Sequence, residues 1–360
     1  MHKGYMKKLP KFRRKKQVDP EGHSARITNE TVAEHRKRVL AGGRRFKYPV
    51  QYARHRLVIN AIIIAIIALI TLAGVIWWQL YPLQNSSTFF YRITKAVPLP
   101  VASVDGYPVR YSDYLVSFRA IEHYKQHKEG VSLRSGDYKE QLEYYRRESL
   151  NGAIADAYAE KIAKERNITV SEEQINEALD DQRASRDGVT SQETYDAIVL
   201  DHYNWTPAEA REVTAASLLR QEVAYAIDDL ARTQRDLVVK KLNANSDFSK
   251  VAQSIPPQGD AQVTSGVVPL VPRNNQDGGL ASMAARLSDN EISDPFRSTT
   301  GDGYYIVKQL EKDGDRVSYA YIKIPLTVFD RQLKELQRND KIKEYIDVST
   351  STVARLEVKE

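Results

Sequence analysis

The run from Leu57 to Tyr81 contains 25 residues without a charged side chain, and it constrains the chain more than any other feature. At about 1.5 Å per residue, a helix of this length crosses a hydrocarbon core of about 30 Å with some tilt. Trp77, Trp78 and Tyr81 lie together at its C-terminal end, where amphipathic rings favour the headgroup layer. The run therefore predicts a single transmembrane helix, because the apolar stretch of a cleaved signal peptide is shorter, at about 7–15 residues.

Basic residues are concentrated before this run. Residues 1–56 hold 17 Lys or Arg against 4 Asp or Glu, whereas residues 57–360 hold 36 against 43. By the positive-inside rule, we expect a bacterial cell-membrane protein with a cytoplasmic N-terminus and extracytoplasmic C-terminal domains. The net charge of −7 on the outer part argues against a specific nucleic-acid binder.

The basic arm, residues 1–56, has few apolar residues and no sustained period, which predicts disorder. Its charges either only set the orientation of the chain or also contact anionic lipid, a ribosome or a translocon. Residues 82–100 are predicted to be a linker. The chain contains no cysteine, which excludes disulfides, thiolate catalysis and cysteine-ligated metals.

Local signals after residue 100 predict an α+β fold. Asp105-Gly106 separates two short apolar runs, which is typical of a type I′ hairpin. Ser112-Asp113 predicts a helix that begins near Tyr114, and apolar spacing of three to four residues predicts helices from there to about residue 230. Ser171 and Thr206 are predicted to cap two of these helices.

Three segments resemble a known family of chaperones. They are VASVDGYPV (101–109), ERNITVSEEQINEAL (165–179) and WTPAEAREVTAASLLRQEV (205–223). In this order they resemble the N-terminal domain of the periplasmic chaperone SurA and of its membrane-anchored relatives PpiD and PrsA. The resemblance covers residues 101–230 and implies a mostly helical domain that binds unfolded or nascent secreted polypeptides without ATP.

The next part of the chain, residues 231–325, resembles a parvulin (PpiC-type) rotamase domain. Residues 237–242 and 247–252 are similar to its first helices. LSDNEISDPF (287–296) is similar to its Leu-x-x-Gly-Glu-Ile-Ser stretch, and GYYIVK (303–308) is similar to its last strand, normally Gly-Tyr-His-Ile-Ile-Lys. The resemblance implies a small α/β domain with an antiparallel sheet.

The catalytic positions implied by that resemblance have changed. Tyr305 stands at the last-strand histidine, and no first-strand histidine precedes the first helix. The pocket Met and Phe positions fall at Gln276 and Leu280, and residues 265–270 stand where a glycine-rich turn is usual. We therefore expect a binding module without catalysis, with an active peptidyl-prolyl cis–trans isomerase of altered site as the alternative.

The missing first strand has a counterpart after the domain. Residues 317–324 resemble that strand, with Tyr321 at the histidine position. A hairpin through Asp313-Gly314-Asp315 would then give a circularly permuted sheet in which Tyr305 and Tyr321 face each other. An ordinary extra edge strand is the other interpretation.

The tail, residues 326–360, is expected to pack back on the helical domain, as in SurA-like chaperones. Two sets of apolar residues predict secondary structure in this segment. The first, Phe329, Leu333, Leu336, Ile342 and Tyr345, predicts a helix; the second, Val353, Leu356 and Val358, predicts a final strand.

No other catalytic constellation competes with this interpretation. His123 and His127 have the four-residue spacing of metal ligands on a helix, but no third ligand is near in sequence, so we expect neither a metal nor a cofactor. The main functional hypothesis is a membrane-anchored extracytoplasmic chaperone. The alternatives are an active isomerase and a structural adaptor of a translocon or cell-wall complex.

Overall fold

The structure is a computed structural model that describes residues 28–130, 136–185, 188–243, 247–257, 259 and 261–348, with the side chains of residues 43–54, 136–140 and 185 left aside. The chain divides into two compact units, Met1–Ala73 and Gly74–Glu360. Helices combine with small antiparallel sheets, which confirms the predicted α+β class.

Helix α1 runs from Asn29 to Leu80 and contains most of the predicted transmembrane run. Its stretch His55–Leu80 is long and apolar enough to cross a membrane, by length and composition. The prediction of disorder is wrong for residues 29–56, which are helical. Residues 33–40 are mostly strong helix formers. Residues 1–27 of the arm lie outside the described residues.

The predicted linker, residues 82–100, contains helix α2, Thr88–Ala96. Tyr91 and Thr94 are buried on one side of this helix. The Arg119 guanidinium lies 4.6 Å from the centre of the Tyr91 ring and donates a hydrogen bond of 2.8 Å to the Thr88 hydroxyl. The segment is therefore a packed part of the fold and not a free connection.

A three-stranded sheet follows. Strands β1 (Pro100–Val104) and β2 (Tyr107–Arg110) form the predicted hairpin. Asp105 and Gly106 have φ angles of 45° and 79°, as a type I′ turn requires, so the prediction is confirmed. Strand β9 (Ile342–Glu344), from the far end of the chain, pairs with the other edge of β1.

Five helices build the rest of this part. They are α3 (Tyr111–His127), α4 (Gly136–Arg166), α5 (Glu172–Arg183), α6 (Gln192–Tyr203) and α7 (Pro207–Ile227), with a short hairpin of β3 (Ala184–Ser185) and β4 (Gly188–Val189) between α5 and α6. Ser171 and Thr206 cap α5 and α7 through reciprocal capping boxes, as predicted. Helix α3 begins before the predicted Tyr114, because the chain turns directly from strand β2 into the helix at Arg110.

The C-terminal four-stranded sheet has the order β5-β8-β7-β6. Its strands are β5 (Thr264–Pro272), β6 (Phe296–Arg297), β7 (Gly303–Asp313) and β8 (Arg316–Pro325); helices α8 (Asp229–Leu242), α9 (Phe248–Gln253) and α10 (Leu280–Arg286) accompany them. The predicted pairing of residues 303–310 with 317–324 is confirmed by the β7–β8 hairpin. Residues 265–270, which stand where the family has a glycine-rich turn, lie within β5, and residues 265–268 pair with β8.

The tail returns to the helical part. Helix α11 covers Val328–Arg338, and Val328, Phe329, Ile346 and Val348 are buried in the same cluster as residues of α3, α4 and α7. The prediction that Ile342 and Tyr345 belong to this helix is wrong. The chain reverses at Asp340, with φ of 54°, and then enters β9. The predicted strand at Val353–Val358 lies outside the described residues.

Asp228 joins three elements at one buried point. Its side chain is fully buried. One carboxylate oxygen accepts the Ala231 amide at 2.8 Å at the start of α8. The other accepts the amides of Thr327 at 2.7 Å and Val328 at 3.0 Å at the start of α11. One carboxylate therefore caps two helices and ties the tail to the end of α7.

Candidate functional site

Two tyrosines lie side by side on the C-terminal sheet. Tyr305 on β7 pairs with Lys323, and Tyr321 on β8 pairs with Val307, so the two tyrosines are diagonal neighbours on one face. Their ring centres are 6.1 Å apart. The prediction that Tyr305 and Tyr321 face each other is therefore confirmed.

This face of the sheet is filled by the chain itself. Helix α10 covers it, and Leu280, at one predicted pocket position, is buried against the face. Tyr305 is only 7% exposed and Tyr319 is fully buried. Gln276, the other predicted pocket position, is exposed in the loop before α10 and is not part of this cluster. The structure thus brings together three of the four predicted residues.

Asp302 organises the polar edge of the same face. Its carboxylate accepts hydrogen bonds from the hydroxyls of Tyr305 and Thr300, both at 2.8 Å. It also accepts the Ser298 hydroxyl and forms an ion pair with the Lys323 ammonium. Burial alone would raise the pKa of Asp302, but these four donors outweigh it and hold the pKa below its usual range.

Three of these donors, Ser298, Thr300 and Lys323, were not predicted from the sequence. Ser298, Thr300 and Asp302 come from one turn, whereas Lys323 comes from β8. The cluster of small hydroxyl residues before Asp302 is the one local signal for the turn. Lys323 carries no such signal, because its contact depends on the register of β7 with β8.

The tyrosine hydroxyls are held as neutral donors. Burial, and then the hydrogen bond to Asp302, raise the pKa of Tyr305 above its ordinary value. Burial, and then a hydrogen bond to Asp277, raise the pKa of Tyr319 in the same way. A phenol in this state neither attacks a carbonyl nor accepts a proton near neutral pH. Both hydroxyls serve to hold the face together.

Tyr321 depends on a glycine opposite it. Gly266 on β5 pairs with Tyr321, and a Cβ atom added to Gly266 would lie 2.7 Å from atoms of the Tyr321 ring. The ring therefore lies directly over the backbone of Gly266. This close approach completes the packing of the filled face.

Protonation of Asp302 gives a testable effect of pH on stability. Because its pKa is lower in the folded than in the unfolded protein, Asp302 contributes stability above the ordinary carboxylate pKa of about 3.9, and this contribution is lost as the pH falls further. We expect Asp302→Asn to flatten the decline of the denaturation midpoint between about pH 5 and 2, where this carboxylate becomes protonated in the unfolded chain but stays ionised in the folded one. Denaturant titrations followed by circular dichroism measure this; the exposed Asp289→Asn is the control, and equal slopes for wild type and Asp302→Asn would contradict the assignment.

A second surface with functional character lies on α6. Val199 points into the fold, yet Ile198, Leu200 and Tyr203 remain 46%, 50% and 44% exposed. Val189, in the preceding β4, is 72% exposed. We call Val189, Ile198, Leu200 and Tyr203 the α6 surface. At 100° per residue, Ile198 and Leu200 lie on opposite sides of the buried Val199, so exposed apolar side chains border the packed face of α6 on both sides and are available to a partner.

The two histidines at metal-ligand spacing lie beside this surface. The rings of His123 and His127 stack with centres 4.2 Å apart. The His123 Nε2 atom is 3.1 Å from the Asp201 carbonyl of α6, and the His127 Nδ1 atom is 3.0 Å from the His123 carbonyl. Within the part of the chain that the structure describes, no group of three His, Cys, Asp or Glu side chains is arranged to hold a metal ion.

Comparison with known proteins bears on the helical part. Residues 52–224 match the family model described as SurA-like N-terminal domain. No curated protein matches the chain. The match includes the end of α1, the β1–β2 hairpin and the helices that carry the α6 surface, and it points to a chaperone-type role. It ends before the C-terminal sheet, so the parvulin-like character of that sheet stays a prediction.

Proposed function

We propose that the protein is a membrane-anchored chaperone that binds unfolded segments of secreted or envelope proteins on the outer side of the membrane, without ATP. The observation that carries the proposal is the α6 surface, which lies within the interval matched by the SurA-like domain. A folded domain that keeps several apolar side chains exposed on one helix fits a role in binding apolar segments of other chains.

The anchor is the apolar part of α1. Along residues 57–70 the large apolar side chains are about half to two-thirds exposed, as in Leu57 (69%), Ile63 (48%) and Ile70 (66%). Such a surface on a helix is stable in lipid and costly in water. The excess of Lys and Arg before the run supports a cytoplasmic N-terminus and an extracytoplasmic position for residues 82–360.

The C-terminal sheet domain acts as a non-catalytic module in this proposal. A parvulin-type isomerase needs an open apolar pocket for proline, whereas here Tyr305, Tyr319 and Leu280 fill the corresponding face. Rotation about a prolyl bond also needs a site that lowers a barrier of about 18–20 kcal/mol. Tyrosine hydroxyls engaged with Asp302 and Asp277 are poorly placed to do so.

Substitutions that introduce negative charge on the α6 surface test the proposal. We expect the double variant Ile198→Glu with Leu200→Glu, in the full chain reconstituted in nanodiscs, to bind an unfolded polypeptide about tenfold or more weakly. Each side chain is half-exposed, so its loss removes about half of the 1.5–3 kcal/mol that full burial contributes. Suppression of aggregation of a chemically unfolded protein and fluorescence anisotropy of an unfolded peptide measure this.

The control replaces an exposed apolar residue elsewhere. Leu310 on β7 is 38% exposed, and Leu310→Glu should leave binding unchanged. Equal binding by wild type and the α6 double variant would refute the assigned surface. Isomerisation of a prolyl peptide by the wild type, lost in Tyr305→Phe, would instead refute the non-catalytic role of the sheet.

A further inference from the structure

Three apolar side chains stay exposed just after the apolar helix ends. Leu83, Phe89 and Val97 are 54%, 66% and 50% exposed. Phe89 lies on α2, whose opposite side buries Tyr91 and Thr94. At 100° per residue, the outer side of α2 carries Phe89, Arg92 and Ala96, which are all exposed. We call Leu83, Phe89, Arg92, Ala96 and Val97 the juxtamembrane face.

The chain folds back against the last turn of α1 before α2 begins. The Leu83 amide donates to the Trp78 carbonyl at 3.2 Å, and the Asn85 amide donates to the Gln79 carbonyl at 2.9 Å. The Asn85 side chain also donates to the Gln79 side chain at 2.9 Å. Leu83 therefore lies about one helical turn beyond Trp78, at the C-terminal end of α1. Helix α2 begins only three residues after Asn85, which is about 10 Å of extended chain at most.

The last turn of α1 is firmly held by the fold. Leu80 is fully buried, and its carbonyl accepts the Tyr111 hydroxyl at 2.6 Å. The Tyr81 hydroxyl donates to the Pro100 carbonyl at 2.7 Å. Trp77 and Trp78 on the same turn are nonetheless 55% and 56% exposed. The position of α2 relative to these tryptophans is thus set by packing and not by a flexible linker.

We infer that the juxtamembrane face lies on the outer surface of the lipid bilayer, with Leu83, Phe89 and Val97 inserted among the headgroups. This inference rests on the proposed membrane anchor. Exposed tryptophans at a helix end mark the headgroup layer, and the face continues from that level. Its composition, apolar side chains with the exposed Arg92 beside Phe89, is that of an interfacial helix facing anionic phosphates.

Insertion has a structural consequence. Because α2 packs on α3 through Tyr91 and Arg119, contact of the face with lipid fixes the tilt of the helical domain on the membrane. The α6 surface then keeps a constant orientation to the bilayer, since α6 is held to α3 by the contact of His123 with the Asp201 carbonyl.

The absence of cysteine allows a direct test. Single variants Phe89→Cys, Ile70→Cys and Leu310→Cys in the full chain would carry an environment-sensitive fluorophore, in nanodiscs of phosphatidylethanolamine and phosphatidylglycerol. Lipids with a spin label near the headgroup or along the acyl chain serve as quenchers. We expect the fluorescence at position 89 to fall at least about twofold with the headgroup quencher, and that at position 310 to stay unchanged.

Position 70 separates the two proposals. Quenching at 70 but not at 89 would overturn the inference and leave the anchor intact. No quenching at 70 would overturn both the anchor and the inference. Protection of position 89 from an aqueous quencher without quenching by lipid would show that a protein surface covers the face, and this would also overturn the inference.

Discussion

Replacing Asp228 by alanine is expected to lower the free energy of unfolding by about 3–5 kcal/mol. The substitution leaves the amides of Ala231, Thr327 and Val328 without the acceptor that they share. The carboxylate is fully buried, so water cannot replace it without opening the junction. Chemical denaturation of the full chain in detergent micelles, followed by circular dichroism, measures the loss.

The neighbouring residue provides a matched control. Asp229 has the same side chain, but it is 86% exposed and pairs with Arg232 at the surface. We expect Asp229→Ala to cost less than about 1 kcal/mol. Asp228→Asn should fall between the two, because an amide keeps one acceptor oxygen and turns a donor toward the remaining amides. Equal effects of Asp228→Ala and Asp229→Ala would refute the shared-cap role.

Replacing Gly303 by alanine is expected to destabilise the C-terminal sheet by about 3 kcal/mol. A Cβ atom at this position would lie 2.3 Å from the carbonyl oxygen of Ile324, which is backbone and cannot rotate away. Strand β7 would have to shift from β8 at its first residue. The Gly303 carbonyl, which accepts the Tyr225 hydroxyl at 2.7 Å, would move with it and loosen the contact with α7.

A glycine in open space gives the opposite result. Gly152 lies in α4, and a Cβ atom added to it meets nothing within 4 Å. We expect Gly152→Ala to raise the free energy of unfolding by about 0.5–1 kcal/mol, because alanine favours the helix and restricts the unfolded chain. Hydrogen exchange of the β7 amides distinguishes local from global loss. Unchanged protection of β7 in Gly303→Ala would contradict the predicted clash.

The parts predicted correctly depend on signals that are local in the chain. The Asp105-Gly106 turn needs only two residues that tolerate positive φ. The caps at Ser171 and Thr206 need only a side chain and an amide three residues later. The β7–β8 pairing belongs to the same group, because a short turn through Gly314 joins strands adjacent in sequence. The predicted pairing puts Tyr305 beside Tyr321, as the structure has them.

The wrong predictions concern segments whose structure depends on their neighbours. Ile342 and Tyr345 have the three-residue spacing of a helix, yet Ile342 pairs with β1 and lies in a strand. The linker contains α2 because Tyr91 and Thr94 find a buried site near α3. In each case tertiary contact outweighed local preference.

The candidate site shows the same division. Tyr305, Tyr321 and Leu280 were placed by resemblance, and the structure brings them onto one face. The contact of Lys323 with Asp302 could not be predicted from the sequence, because an ion pair between a loop and a strand depends on the register of the sheet. The α6 surface could not be predicted either, since the spacing of apolar residues predicts a helix but not which apolar side chains stay exposed to solvent.

The sequence alone determined the apolar run that suits a membrane, the hairpin, the caps and the α+β class, because each depends on a few adjacent residues and their backbone preferences. Only the tertiary structure decided that Asp228 caps two helices 99 residues apart, as its bond to the Thr327 amide shows, and that tyrosines fill the C-terminal face. Those features depend on which surfaces meet when the chain folds, because only then does a buried polar group gain its hydrogen-bond partners.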